Sequence, residues 1–174
     1  MKKIITSMAL AIFTLTTYAQ GYAGGGMTFW YNDKDNRTTI AFTPEIGYRA
    51  SKRFAFGVSL GYRHNKEKET RSDVYSVAPY IRHYLYSLNE LDLLWDGIIE
   101  YSYTDTRNNG HGNTIGIGVK PGISYTINKH FCITAHIGFI GYRHCDRKAI
   151  TEENTPGLGL SLYNELNFTF HYHF

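Results

Sequence analysis

Residues 166–174 read Leu166-Asn167-Phe168-Thr169-Phe170-His171-Tyr172-His173-Phe174. Apolar or aromatic side chains occupy 166, 168, 170, 172 and 174, and polar ones stand between them. A period of two is the signature of a β-strand with one greasy face. The sequence ends on that face, at Phe174. A strand that presents five large apolar groups on one side needs an apolar surrounding. Lipid supplies one, provided every backbone N–H and C=O is paired within a closed sheet.

Working back from this strand, seven more segments show the same alternation. They run at about Tyr22–Asn32, Thr38–Arg49, Arg53–His64, Val74–Tyr86, Asp92–Thr104, Thr114–Ile127 and Phe131–Tyr142, with the eighth at Gly157–Phe174. The third is the clearest: Phe54, Phe56, Val58, Leu60 and Tyr62 alternate with Ala55, Gly57, Ser59 and Gly61. In the seventh, Phe131, Ile133, Ile137 and Phe139 are expected on the greasy face. Each segment reaches the roughly 9–11 residues that a tilted strand needs to cross a bilayer. The connections at Ala50–Lys52, Ser87–Leu91 and Asn128–His130 are short. Those at Asn65–Asp73, Asp105–Asn113 and Arg143–Pro156 read as long and polar, and Asp33–Arg37 as shorter but charged. Tight turns at one end and longer loops at the other predict an all-β, eight-stranded, antiparallel up-and-down transmembrane β-barrel. A soluble barrel of the lipocalin kind would turn the apolar face inward, leaving small and charged residues outside.

The N-terminus agrees with an exported protein. Lys2 and Lys3 precede an uncharged, mostly apolar stretch from Ile4 to Thr17, and Thr17-Tyr18-Ala19 offers small residues at a cleavage site. Residues 1–19 are therefore expected to be a signal peptide and residues 20–174 the barrel domain. Removing 19 of 174 residues leaves 155, with 16 basic against 15 acidic side chains. That balance excludes the basic stripe of a nucleic-acid partner. The 15 tyrosines fit aromatic girdles at two membrane interfaces. Thirteen residues of extended chain, roughly 40 Å, separate Cys132 from Cys145, so two free thiols are expected in place of a disulfide.

Residues 44–61 and 121–138 align without a gap at an offset of 77, with Pro44/Pro121, Ile46/Ile123, Tyr48/Tyr125, Lys52/Lys129, Phe54/Phe131 and Gly61/Gly138 identical. Each copy is a strand, a tight turn and a returning strand. Pro44, Pro79 and Pro121 fall inside strands, where each removes a ladder donor, so a bulge or locally opened pairing is expected at all three.

The sequence as a whole resembles the small eight-stranded outer-membrane barrels, the OmpA-like and OmpX-like transmembrane fold, and the single-domain barrels of Bacteroidetes-type bacteria. Pro44-Glu45-Ile46-Gly47-Tyr48, Phe54 through Tyr62, Pro79-Tyr80-Ile81-Arg82-His83-Tyr84 and the terminal strand carry the resemblance. It implies a Gram-negative outer-membrane address. Phe168, Phe170, Tyr172 and Phe174 would then form the C-terminal signal read by the barrel-assembly machinery, and membrane lipid and lipopolysaccharide would be the other partners. The family holds structural proteins, small channels, adhesins and enzymes, so the resemblance fixes architecture and leaves activity open.

With the apolar face toward lipid, Glu45, Arg49, Arg63, Arg82, Asp96, Glu100, Lys120, His136, Glu165 and His171 point inward. An eight-stranded barrel is just wide enough for side chains to fill it, and an unpaired buried charge costs several kcal/mol. Glu45, Arg82, Asp96, Glu100, Lys120, His136 and Glu165 are therefore expected to pair as a lumen charge network that plugs the barrel. The alternative is a narrow porin-like conduit. His171 and His173 share a strand face, but no spacing in the sequence brings three metal ligands together, and no cofactor is expected. A lipid A-modifying enzyme is the least favoured reading. The His-x-Ser pair of a deacylase is missing at His171-Tyr172-His173, and His64, His111 and His144 are ordinary rim residues. The expectation is a non-enzymatic structural or surface-interaction protein acting through its extracellular loops.

Overall fold

The computed structural model describes residues 21–32, 37–67, 70–107, 110–146, 156–161 and 167–174. The expected signal peptide, the assignment at Glu165 and most of the last loop lie outside them. Ten strand segments build the fold: β1 (Gly21–Asn32), β2 (Arg37–Arg49), β3 (Phe54–Glu67), β4 (Thr70–Leu88), β5 (Leu91–Thr106), β6 (Gly110–Thr126), β7 (Phe131–His136), β8 (Phe139–Cys145), β9 (Gly157–Ser161) and β10 (Asn167–His173). β7 and β8 are two halves of the seventh stave, and β9 and β10 two parts of the eighth. All pairings are antiparallel between consecutive staves, β6 pairing with both halves of the seventh stave, and β10 also pairs with β1, from Tyr22↔His173 to Gly25↔Phe170. That last pairing closes the sheet, so the protein is an eight-stranded up-and-down barrel.

The polarity of the wall is the reverse of a soluble protein's. Phe42, Ile46, Leu60, Ile99, Ile117 and Phe170 lie on the outside and are exposed. Buried positions on the same strands hold Glu45, Arg82, Asp96, Ser102, Thr104, Thr114 and His136. Tyr48, Phe54, Phe131 and Tyr172 ring the short-turn end, and Tyr62, Tyr75, Tyr101 and Tyr103 the other. These are the two aromatic belts of a membrane barrel around an apolar band. No helix among the described residues is long and apolar enough to cross a membrane; the crossing is made by strands.

The two copies of the internal repeat are built alike. Ser51 Oγ accepts the N–H groups of Arg53 and Phe54 at 3.2 and 3.0 Å. At the equivalent position 77 residues on, Asn128 Oδ1 accepts those of His130 and Phe131 at 2.9 and 3.0 Å. A short polar side chain thus caps each tight turn. The three strand prolines open the ladder on one side only. The β2–β3 register skips from Phe42↔Tyr62 to Glu45↔Ser59, and the β4–β5 register from Val77↔Tyr101 to Tyr80↔Ile98. Pro121 still pairs with Trp95 of β5, while on its other side the seventh stave breaks between β7 and β8.

Two expectations change. The connections Asn65–Asp73 and Asp105–Asn113 are mostly ladder, with Lys66 paired to Arg71 and Thr106 to Gly110. Charged side chains gave these stretches a loop-like composition, but backbone pairing continues past the apolar band wherever the two partners stay aligned. Phe139, expected on the lipid face, is buried at 3% exposure. Gly138, at φ 76°, inserts an extra residue into the stave. A one-residue insertion in a period-two strand exchanges its faces: Ile137 points out, Phe139 points in, and Ile140 points out again.

Candidate functional site

The lumen side chains gather near mid-height and below. Arg82 of β4 and Asp96 of β5 are direct partners across the ladder. Arg82 Nε donates to Asp96 Oδ1 at 2.8 Å and Nη2 to Oδ2 at 2.9 Å, a two-pronged pair with both residues buried. Asp96 Oδ2 also meets His136 Nε2 from β7 at 2.7 Å. On the other side, Arg82 Nη2 lies 3.8 Å from Glu45 Oε1. Glu45 in turn bonds His171 Nε2 of β10. The result is a continuous chain of alternating charge character across the barrel: His136, Asp96, Arg82, Glu45, His171.

Two tyrosines complete it. Tyr80 OH donates to Glu45 Oε1 at 3.4 Å, and the Tyr22 and Tyr80 hydroxyls are 2.8 Å apart. With the Tyr80 proton on Glu45, Tyr22 is the donor to Tyr80. The Arg82 guanidinium sits 5.2 Å from the Tyr80 ring centre and 5.9 Å from that of Tyr22, within cation–π range. Closer to the short turns, Arg49 lies 4.2 Å over Tyr84. These rings need space, and small residues provide it. A side chain at Gly47 would collide with the Tyr22 ring, and one at Gly57 with the Tyr80 ring. Gly47 of β2 and Gly57 of β3 are therefore the receiving positions for these two rings.

Of the seven residues expected to form the network, Glu45, Arg82, Asp96 and His136 meet directly. Lys120 is half-buried and is the ladder partner of Asp96, so Arg82, Asp96 and Lys120 form a row of plus, minus and plus across three strands. Glu100 stands two inward-facing positions further from the short turns than Asp96, opposite Gly116, which is also the partner of Arg143. His171, expected inward but not in the network, is one of its ends. The sequence reading missed Tyr22, Tyr80 and Tyr84, because aromatic residues in a membrane barrel are first assigned to girdles. Their parity with Arg82 and Glu45 was the available signal.

A second cluster adjoins the first. Cys132 is the ladder partner of His171. Its Sγ is 3.6 Å from His171 Nδ1 and 3.3 Å from His173 Nε2. Thr134 Oγ1 lies 3.4 Å from the same His171 nitrogen and donates to Ser124 Oγ at 3.0 Å. Cys132 and Cys145 are both free thiols. Among the described residues, no group of three or more His, Cys, Asp and Glu forms a metal-binding arrangement.

A closed barrel of eight antiparallel strands, apolar outside and ion-paired inside, defines the class as integral outer-membrane barrel. Among solved structures, the chain is similar to Neisserial surface protein A (NspA), at 18% identity and a TM-score of 0.52, over 89% of this chain and 95% of that one. It also aligns with OmpT, an outer membrane protein of Vibrio cholerae in its trimer form, at 14% identity and a TM-score of 0.40, over 90% of this chain and 53% of that one. The likeness to NspA is one of fold. No family model and no curated protein matches the sequence.

Proposed function

We propose that this protein is a non-enzymatic outer-membrane barrel whose lumen is closed by its own charges, and that it serves the envelope structurally or through its extracellular loops. The carrying observation is the buried Arg82, held by both oxygens of Asp96 and flanked by Glu45. A guanidinium fixed through Nε and Nη2 on Asp96, with Glu45 close to the same Nη2, fills the centre of a barrel this narrow and supports a closed lumen. Export through a cleaved signal peptide, insertion by the assembly machinery through Phe168, Phe170, Tyr172 and Phe174, and contact with lipopolysaccharide belong to the same reading. The exposed side chains of Phe168, Phe170, Tyr172 and Phe174, all on one face, support it.

Single-channel recording on the refolded barrel in a planar bilayer tests this, after a heat-dependent gel shift has verified folding. Silence in the parent protein and discrete openings in Arg82→Ala are expected. Steady openings in the parent protein would replace the plug with a small porin-like channel. Turnover of lipid A by the purified barrel would replace it with an enzyme.

A further inference from the structure

The lower lumen holds a group that closing the barrel does not require. Cys132 is the second residue of β7, next to a short turn, and faces inward at 7% exposure. On one side its sulfur meets His171 Nδ1, and the opposite nitrogen of that ring is fixed on Glu45. On the other side it meets His173, which is half-buried at the short-turn mouth. Thiol, imidazole and carboxylate therefore stand in line. This is the arrangement that activates a nucleophile: the base takes the proton, and the carboxylate orients the ring and stabilises its charged form. Buried structural cysteines are ordinarily inert because nothing beside them can accept the thiol proton, whereas the Cys132 sulfur has an imidazole nitrogen on each side.

The register explains how the line forms. Glu45 and His171 both pair with Gly24 of β1, one from each side. Their side chains meet over a residue that has none. Cys132 then follows His171 across the next ladder. Four neighbouring strands place an acid, a gap, a base and a thiol in one row.

We propose that Cys132 is a reactive thiol, a modification site for small hydroperoxides that enter at the short-turn mouth. Small size follows from crowding: the Tyr22 ring packs 5.4 Å from both the His171 and His173 rings, centre to centre. In the step, the thiol proton passes to His171 Nδ1 and the sulfur attacks one peroxide oxygen. An S–O bond forms and the O–O bond breaks. The electron pair leaves on the distal oxygen, which takes the proton back from His171. The sulfur is oxidised to a sulfenic acid and hydrogen peroxide is reduced to water.

The test uses the folded full-length barrel in detergent, exposed to hydrogen peroxide together with a dimedone-type sulfenic-acid trap. Peptide mass spectrometry reads labelling at Cys132, with Cys145 as the internal comparison. Labelling of Cys132 roughly tenfold faster than of Cys145 is expected, since imidazole nitrogens of His171 and His173 flank the Cys132 sulfur. His173→Gln and Glu45→Gln should each slow it several-fold. Should Glu45→Gln fail to fold, His173→Gln at the half-buried mouth decides. Equal labelling of the two cysteines, labelling only after heat unfolding, or an unchanged rate in the folded His173→Gln protein overturns the proposal. None of these readouts depends on conductance, so the thiol and the plug stand or fall separately.

Discussion

A methyl group placed on Gly24 would lie 2.6 Å from His171 Cδ2 and 2.9 Å from His171 Cα. Real side chains do not approach so closely, and the Phe170 backbone oxygen is nearer still, so Gly24→Ala must bend β1 away from β10 and disturb His171 with it. The expected cost is about 1–3 kcal/mol, the usual range for overpacking. It would be measured as a lower urea midpoint for unfolding of the inserted barrel. The same substitution at Gly159, where a Cβ meets nothing within 4 Å, should leave the midpoint nearly unchanged. Arg82 is the other residue with a sharp expectation. Arg82→Met strips a buried carboxylate of its two-pronged partner, and breaking such a pair costs about 3–5 kcal/mol. The double variant Arg82→Met with Asp96→Leu should recover much of that loss, because both charges leave together. A double variant no more stable than the single one would mean that Arg82 stabilises the lumen by packing on Tyr22 and Tyr80 instead.

The two capped turns make their predictions at the scale of an element. Ser51→Ala and Asn128→Ala each remove an oxygen that accepts two backbone N–H groups at an exposed turn. Each should cost about 1 kcal/mol. The losses should add, since the turns share no partner; strong coupling in the double variant would show that the hairpins are not independent units. The eight staves themselves, their antiparallel order and their short-turn side were legible in the sequence, because period-two patterning and turn residues are local signals. Their true lengths were not: Lys66 and Arg71 look like loop residues, and only their pairing across the hairpin makes them strand. Phe139 was misplaced for a related reason. A period-two pattern is read from one end, and a single inserted residue at Gly138 inverts everything after it until the next irregularity.

On the scale of the whole molecule, the outer face is what makes the barrel a membrane protein. Ile117 of β6 lies outward near mid-height and is 57% exposed. Ile117→Lys should destabilise the inserted barrel by about 2–4 kcal/mol, read from the same urea transition in lipid vesicles. In a water-soluble barrel that exchange would be neutral. An unchanged midpoint would contradict the membrane assignment of this face.

Alternation of apolar and polar residues was enough by itself to determine strands, their number, their antiparallel order and which face meets lipid. The reason is physical: a membrane-spanning chain must pair every backbone polar group and present apolar atoms outward, and both demands act residue by residue along the sequence. The sequence also determined that Glu45, Arg82, Asp96, His136 and His171 face one interior. The tertiary structure alone decided which of them touch. Glu45 and His171 are 126 residues apart and meet because β1 and β10 close the ring with Gly24 between them. Cys132 lies 39 residues from His171 and joins it because β7 and β10 pair in one particular register. Ring closure and register are set by all eight staves at once, so the contacts they create across the lumen have no local trace in the chain.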